Sequence, residues 1–276
     1  MENNRGFSIT GHMVVKNEDR WIWFAIMSVI DFLDKLIVFD TGSIDKTNGI
    51  IENIVSSPLY KEKIIYEKMG EVSAEEFHKV RQRQIDMTCT DYFMVIDGDE
   101  IWYKESLKEL EAILEKKPEL VATRFINACG DIFHYRLDSR ETYCINGETG
   151  AITIRVYSKK IPGISCGGVY GVEGYIDSTG KPVQNQKYLT VVQEGKYFHT
   201  SLLNRSSAQN GDFSIKYRRS KIKMDWDEKF VTGFMFPEVF YIQNLPEYVK
   251  SPFVSDHNIV RTVYHILRKI KRMVKR

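Results

Sequence analysis

The sequence predicts an α/β fold, a mixed, mostly parallel sheet with helices on both faces and an elaborated second half. Three observations carry this. Apolar runs of strand length alternate with helix-length amphipathic segments through the first hundred residues. Short polar turns, rich in acids, close the apolar runs. After residue 120 the texture changes to short alternating runs with long connections. The first two are the signature of strand–helix–strand units around a parallel sheet, and the third adds antiparallel strands.

Taken in order, Ile9 to Val15 reads as the first strand, followed by the polar Lys16-Asn17-Glu18-Asp19. Ile22, Ala25, Ile26, Val29, Ile30 and Leu33 recur at three- and four-residue spacing, which predicts a helix over 19–33. Leu36 to Asp40 is a second strand and Thr41 to Asp45 a turn. A helix follows at about 46–55, ended by Pro58. Lys63 to Lys68 is a third strand. Ser73 to Thr88 is a helix, and the run from Tyr92 is a strand ending at Asp97. Ser106 to Glu115 is a helix stopped before Pro118. Val121–Asn127, Ile132–Leu137 and Ile152–Tyr157 read as antiparallel strands, and the glycine-rich 163–171 as a mobile segment. The organisation expected is one domain over 1–256, with a nucleotide half at about 8–104 and an acceptor half at about 120–256. A basic amphipathic helix at 257–276 completes it.

Composition narrows the class. An apolar fraction of 43% suits a globular core. The four cysteines, Cys89, Cys129, Cys144 and Cys166, form no C-x-x-C pair, which speaks against a zinc ribbon or thioredoxin-type centre. No apolar leader follows Met1 and no run of eighteen apolar residues occurs. A cytoplasmic protein with reduced thiols is expected. The net charge of +2 hides an asymmetry. Residues 257–276 hold seven Lys/Arg and no acid, and removing them from the 39 basic residues leaves 32 against 37 acidic. The body is therefore no nucleic-acid binder by charge, and no nucleic-acid partner is expected. The tail either lies on an anionic membrane, on its inner face, or docks on the domain with its basic face solvated.

The chemistry concentrates where Tyr92-Phe93-Met94-Val95-Ile96 runs into Asp97, Asp99 and Glu100. Acids at the C-terminal tip of a buried strand occupy the position where open α/β sheets bind ligands. Their mutual repulsion, about 1–4 kcal/mol per pair, calls for compensation, and a hard divalent cation supplies it.

Four segments in register carry a family resemblance. They are Val15-Lys16-Asn17-Glu18, Asp40-Thr41-Gly42-Ser43-Ile44-Asp45-Lys46-Thr47, Arg81 sixteen residues before Asp97, and Asp97-Gly98-Asp99. Together they resemble the family 2 glycosyltransferases of GT-A fold, firmly over 8–104 and loosely over 150–205. The resemblance implies a donor nucleotide site formed by Val15, Asn17, Glu18, Asp40, Gly42, Ser43, Arg81 and Asp97. In it Asp40 accepts a hydrogen bond from the base, and Glu18 lines the base and ribose. It further implies Mn²⁺ or Mg²⁺ on Asp99, bridging the diphosphate of a nucleotide-sugar donor, UDP-sugar favoured. His199, after the run Tyr197-Phe198, matches a further metal ligand of some relatives; a satisfied, partly buried histidine is the other reading. Arg205 would neutralise phosphate.

Inverting transfer needs a base to deprotonate the acceptor. Glu173 in Val172-Glu173-Gly174 resembles the V-H-E stretch of lipopolysaccharide-type relatives, although Gly171 and Val172 stand where the family has Val and His. Asp177 and Asp212 are the alternatives. Trp102 either stacks on a sugar or belongs to the core, and Glu100 either shapes the acceptor site or caps the next helix turn.

The activity implied is inverting sugar transfer to a glycan or lipid-linked acceptor in surface polysaccharide or lipopolysaccharide assembly. The rival readings are a silent nucleotide-sugar-binding protein, a haloacid-dehalogenase-type phosphatase and a nucleotidyltransferase. Ile101 stands where the phosphatase requires Thr, and Lys16-Asn17-Glu18-Asp19 is not the glycine-rich loop of the nucleotidyltransferase.

Overall fold

The computed structural model describes residues 5–140, 143–208 and 227–253. The predicted helix at 257–276 and the alternative base Asp212 lie outside the described residues.

The first half alternates as expected: β1 (Ile9–Val15), α1 (Ile22–Val29), β2 (Lys35–Asp40), α2 (Thr47–Ser56), β3 (Ile64–Lys68), α3 (Phe77–Met87) and β4 (Tyr92–Val95). The second half is strand-rich: β5 (Glu100–Trp102), α4 (Lys104–Leu114), β6 (Leu120–Cys129), β7 (Asp131–Tyr135), β8 (Tyr143–Ile145), β9 (Glu148–Gly150), β10 (Ile152–Ser158), β11 (Ser165–Gly167), β12 (Gly174–Ile176), β13 (Thr190–Leu202) and β14 (Glu228–Lys229).

Ten strands form one sheet, in the order β14-β7-β6-β10-β4-β1-β2-β3, with β13 joining β6 to β5. β1 pairs in parallel with both β2 and β4. The chain therefore winds outward from β1 to β3 and returns to β4 on the other side. That reversal is a topological switch point, and it opens a crevice beyond the C-terminal ends of β1 and β4. β10 and β6 then extend the sheet antiparallel.

Period-two alternation in the strands feeds two cores. Ile9, Met13 and Val15 of β1 and Leu36 and Val38 of β2 face α1, α2 and α4. Val14, Ile37 and Phe39 face Phe77 and Val80 of α3 on the opposite side. Helices therefore cover both faces. Each fully buried Ile or Phe stabilises the fold by about 1.5–3 kcal/mol relative to exposure.

Two helices are shorter than the periodicity predicts. The predicted 19–33 helix shrinks to α1, because Asp19 bonds instead to the Ser207 amide at 2.8 Å and Asp34 to the Ile9 amide at 2.7 Å. Ile30 and Leu33 remain buried just past its end. The predicted 73–88 helix starts only at Phe77, after a turn in which Ser73 Oγ accepts the Glu76 N–H at 3.3 Å. The glycine-rich 163–171 is not an open loop. It contains β11, which pairs antiparallel with β12.

Candidate active site at the switch point

A cavity of about 450 Å³ opens at the switch point. Its wall includes Val15 at the end of β1 and Glu18 after it, Arg81 of α3, Asp97 and Asp99 after β4, Glu173 before β12, His199 of β13 and Arg205 beyond it. Six of these eight residues were drawn from separate stretches of sequence as donor or metal residues. The fold brings them to one wall.

The acids sit on a tight turn. Asp97 C=O accepts the Glu100 N–H at 3.1 Å, and Glu100 Oε2 accepts the Asp97 N–H at 3.2 Å. Gly98 is required because of a close approach: a Cβ there would lie 2.9 Å from Glu18 Cγ and 3.1 Å from Val15 Cγ1. The turn thereby closes directly onto the end of β1.

Asp97 is held between two guanidiniums. Arg81 Nη2 lies 2.9 Å from Oδ1 and Arg155 Nη1 3.5 Å from Oδ2. Burial disfavours its charge, but Arg155 and Arg81 outweigh burial and keep the carboxyl below its ordinary range. Glu100 is fully buried and paired with Arg155. Burial dominates there and pushes its carboxyl up to about 7.

Asp99 is oriented differently. Thr200 donates its N–H and hydroxyl to the Asp99 carbonyl, at 2.9 and 3.1 Å. The carboxylate Oδ1 lies 3.5 Å from His199 Nε2. One carboxylate and one imidazole suit a divalent cation that takes its remaining ligands from phosphate and water. Among the described residues no three His, Cys, Asp or Glu side chains are grouped to hold a metal by themselves. The pair thus fits a cation shared with a bound anion.

The segment from Asp40 to Thr47 is a clamp. Asp40 Oδ1 accepts the N–H groups of Gly42 and Ser43 at 3.0 and 2.9 Å, and Gly42 takes a φ of 94° that only glycine adopts without strain. Ser43 Oγ accepts the Asn17 N–H, Asn17 Oδ1 accepts the Ile44 N–H, and Thr47 Oγ1 accepts the Glu18 N–H, each at 2.8 Å. Asp45 Oδ1 accepts the Thr47 N–H at 2.9 Å and Oδ2 the Ser206 hydroxyl at 2.5 Å. Asn17, Gly42 and Ser43 therefore shape the site from behind and do not line the cavity. Asp40 is buried just beneath its wall, where Thr41 surfaces, and its Oδ2 has no partner among the described residues.

Several expectations are corrected. Trp102 is 1% exposed and stacks on Tyr197 at 5.1 Å between centroids, so it belongs to the core and cannot meet a sugar. Glu100 neither shapes an acceptor surface nor caps a helix; it is buried behind the Asp97 turn. Asp177 lies outside the cavity wall. Its carboxylate closes a turn by accepting from Thr179 N–H at 2.8 Å and Tyr188 OH at 3.0 Å, which commits it to that turn and away from the cavity. Arg205 reaches the wall, but in this state it pairs with Glu18 at 2.6 Å.

Arg155 and Tyr197 were missed by sequence reasoning. A signal existed: Arg155 interrupts the apolar strand Ile152–Tyr157, and an arginine is seldom buried without a partner.

Comparisons with known proteins bear on this site. The sequence model for Glycosyl transferase family 2 matches residues 12–175. A TPR repeat-containing protein of Synechococcus elongatus is 31% identical over 110 residues, 40% of this chain and 25% of its own length. The chain thus spans about a quarter of that curated relative. Among solved structures, S. aureus TarS 1–349 aligns at 15% identity over 70% of this chain and 60% of its own, with a TM-score of 0.45. The mannosyltransferase PcManGT from Pyrobaculum calidifontis, in complex with GDP-Man and Mn²⁺, aligns at 10% identity over 80% and 62%, with a TM-score of 0.45. The family match extends over more than half of the sequence and takes in Glu18, Arg81, Asp97 and Asp99, all on one cavity wall; the chain belongs to glycosyl transferase family 2.

Proposed function

We propose that this chain is a metal-dependent, inverting glycosyltransferase that moves a sugar from a nucleotide diphosphate, with UDP favoured, to a hydroxyl acceptor. The observation that carries this reading is the Asp99–His199 pair, set beside Arg81 and Asp97 in a cavity large enough for a nucleotide sugar.

Each residue then has a task. Asp99 and His199 would hold Mn²⁺ or Mg²⁺, which as a Lewis acid offsets charge on the departing diphosphate. The unpartnered Oδ2 of Asp40 would accept an N–H of the base. Val15 and Glu18 would line the base and ribose, while Arg205, now on Glu18, would turn to phosphate. Glu173 would take the proton from the acceptor hydroxyl as its oxygen attacks the anomeric carbon and the bond to the diphosphate breaks. A glycan or lipid-linked acceptor of surface polysaccharide assembly completes the reading. Among the described residues no helix is long and apolar enough to cross a membrane. Peripheral membrane contact is assigned to 257–276 by its sequence alone.

The test is thermal-shift screening against UDP-, GDP-, CDP- and dTDP-sugars with and without Mn²⁺, followed by donor hydrolysis. A donor at a hundredfold excess over its Kd should raise stability by about 2.7 kcal/mol, in a Mn²⁺-dependent way. Binding without hydrolysis in the wild type would instead favour the silent binding protein.

A further inference from the structure

β10 contains a feature that its pairing makes unusual. Ile154 pairs with Ala122 of β6 and Val156 with the adjacent Val121, so Arg155 is the extra residue of a β-bulge. Bulges re-aim side chains and are common beside active sites. Here the bulge directs a guanidinium beneath the Asp97–Glu100 turn. Nη1 lies 3.5 Å from Asp97 Oδ2, and Nη2 pairs with Glu100 Oε1. Nε and Nη2 lie 3.2 and 2.9 Å from Tyr197 OH, with the guanidinium carbon 5.2 Å from that ring's centroid. Arg155, Glu100 and Tyr197 do not line the cavity. Their effect on it passes through Asp97, whose other oxygen belongs to Arg81, and through His199, whose ring centroid lies 5.9 Å from that of Tyr197.

We propose that Arg155 is a positioning residue. It clamps Asp97 from beneath, so that this carboxylate cannot turn toward Asp99, and Asp99 is left to serve the donor's cation with His199 alone. A fork that engages two carboxylates and a phenol at once is something arginine supplies and lysine does not. The proposal rests on the transferase reading for its catalytic consequence, but the clamp itself is a matter of geometry.

The test compares the full-length wild type with R155M and R155K in three measurements: crystal structures, Mn²⁺ affinity by electron paramagnetic resonance in the presence of UDP, and kcat for UDP-sugar hydrolysis. In R155M the Asp97 side chain should swing toward Asp99. Mn²⁺ binding should tighten by roughly threefold as a second carboxylate reaches the ion, while kcat falls by about tenfold or more as the donor loses its alignment. Simple damage to the fold would weaken Mn²⁺ binding instead. Where R155M fails to fold, R155K keeps the charge and carries the test, with the same displacement in smaller measure. An Asp97 that stays in place in either variant, or a Mn²⁺ affinity that weakens, overturns the proposal. A wild type that hydrolyses no donor overturns the transferase reading only, and the crystal comparison still decides the clamp.

Discussion

Asp99 Oδ1 and His199 Nε2 stand 3.5 Å apart although they come from opposite halves of the chain. Strand register produces the meeting. β13 runs antiparallel to β5 with His199 opposite Glu100, one residue from Asp99. If this pair holds the cation, Asp99→Ala should abolish the Mn²⁺-dependent thermal shift with donor and lower transfer by about 10²-fold or more. His199→Ala should raise the Mn²⁺ requirement with a smaller loss of kcat. A metal response in Asp99→Ala equal to that of wild type would remove the site.

Glu173 and Asp177 are separated by their surroundings, one on the cavity wall and one bonded within a turn. Glu173→Gln should lower kcat by about 10²–10⁴-fold with donor affinity retained. Asp177→Asn should leave kcat near wild type and lower only the melting temperature. Isothermal titration with donor, alongside steady-state transfer kinetics, distinguishes the two outcomes.

Gly98→Ala tests the closeness of the two strand ends. The added methyl meets Glu18 Cγ and Val15 Cγ1, so Glu18 must shift and its pairing with Arg205 loosens. The donor KM should rise severalfold, with a stability cost of about 1–3 kcal/mol from overpacking. An unchanged KM would mean that Glu18 does not contact the donor.

Glu100 gives the protein a pH dependence of defined sign. Its carboxyl titrates near 4.5 when unfolded and is pushed up to about 7 by burial in the folded protein, against the pull of Arg155. Between these values the folded state binds more protons, so this contribution is fully present below 4.5 and is lost as pH rises through 7. Relative to Glu100→Gln, wild type should lose stability on the order of 3 kcal/mol across that window. Urea unfolding of both proteins at several pH values measures the difference, and parallel curves would contradict it.

Trp102 should behave as a core residue. Trp102→Ala should cost about 3–5 kcal/mol in urea unfolding, whereas Trp102→Phe should keep most of the stability. At a temperature where the variant is folded, the acceptor KM should not change. A large rise in acceptor KM would restore the sugar-stacking role that its burial rules out.

The part of the site built from local sequence was legible. Glu18, Asp97 and Asp99 follow predicted strands and Arg81 lies on a predicted helix, the family resemblance singles them out, and the switch point places them together. What local pattern could not show was long-range pairing. Trp102 follows an acidic turn, which left a sugar-stacking and a core reading both open, and only the pairing of β13 with β5 decides for the core. Asp177 looks like any surface acid until Tyr188 is seen bonding to it. Arg155 is aimed by a bulge, and the bulge exists only in the register of β10 on β6. The ends of α1 and α3 were misjudged because Asp19 and Asp34 accept hydrogen bonds from distant segments, Ser207 and Ile9, and Ser73 accepts one from Glu76 in a turn that precedes α3.

The path of β13 sets a lower bound on the working unit. The stretch recognisable as family sequence stops at residue 175, yet the imidazole beside Asp99 arrives only at His199. Beyond it, the main chain at 204–207 is laced to Trp21, Arg20 and Asp19. A fragment trimmed to the recognisable stretch would bare the flanks of β5 and β6 and lose His199 from beside Asp99. Grafts or truncations must therefore keep the chain through Ser207.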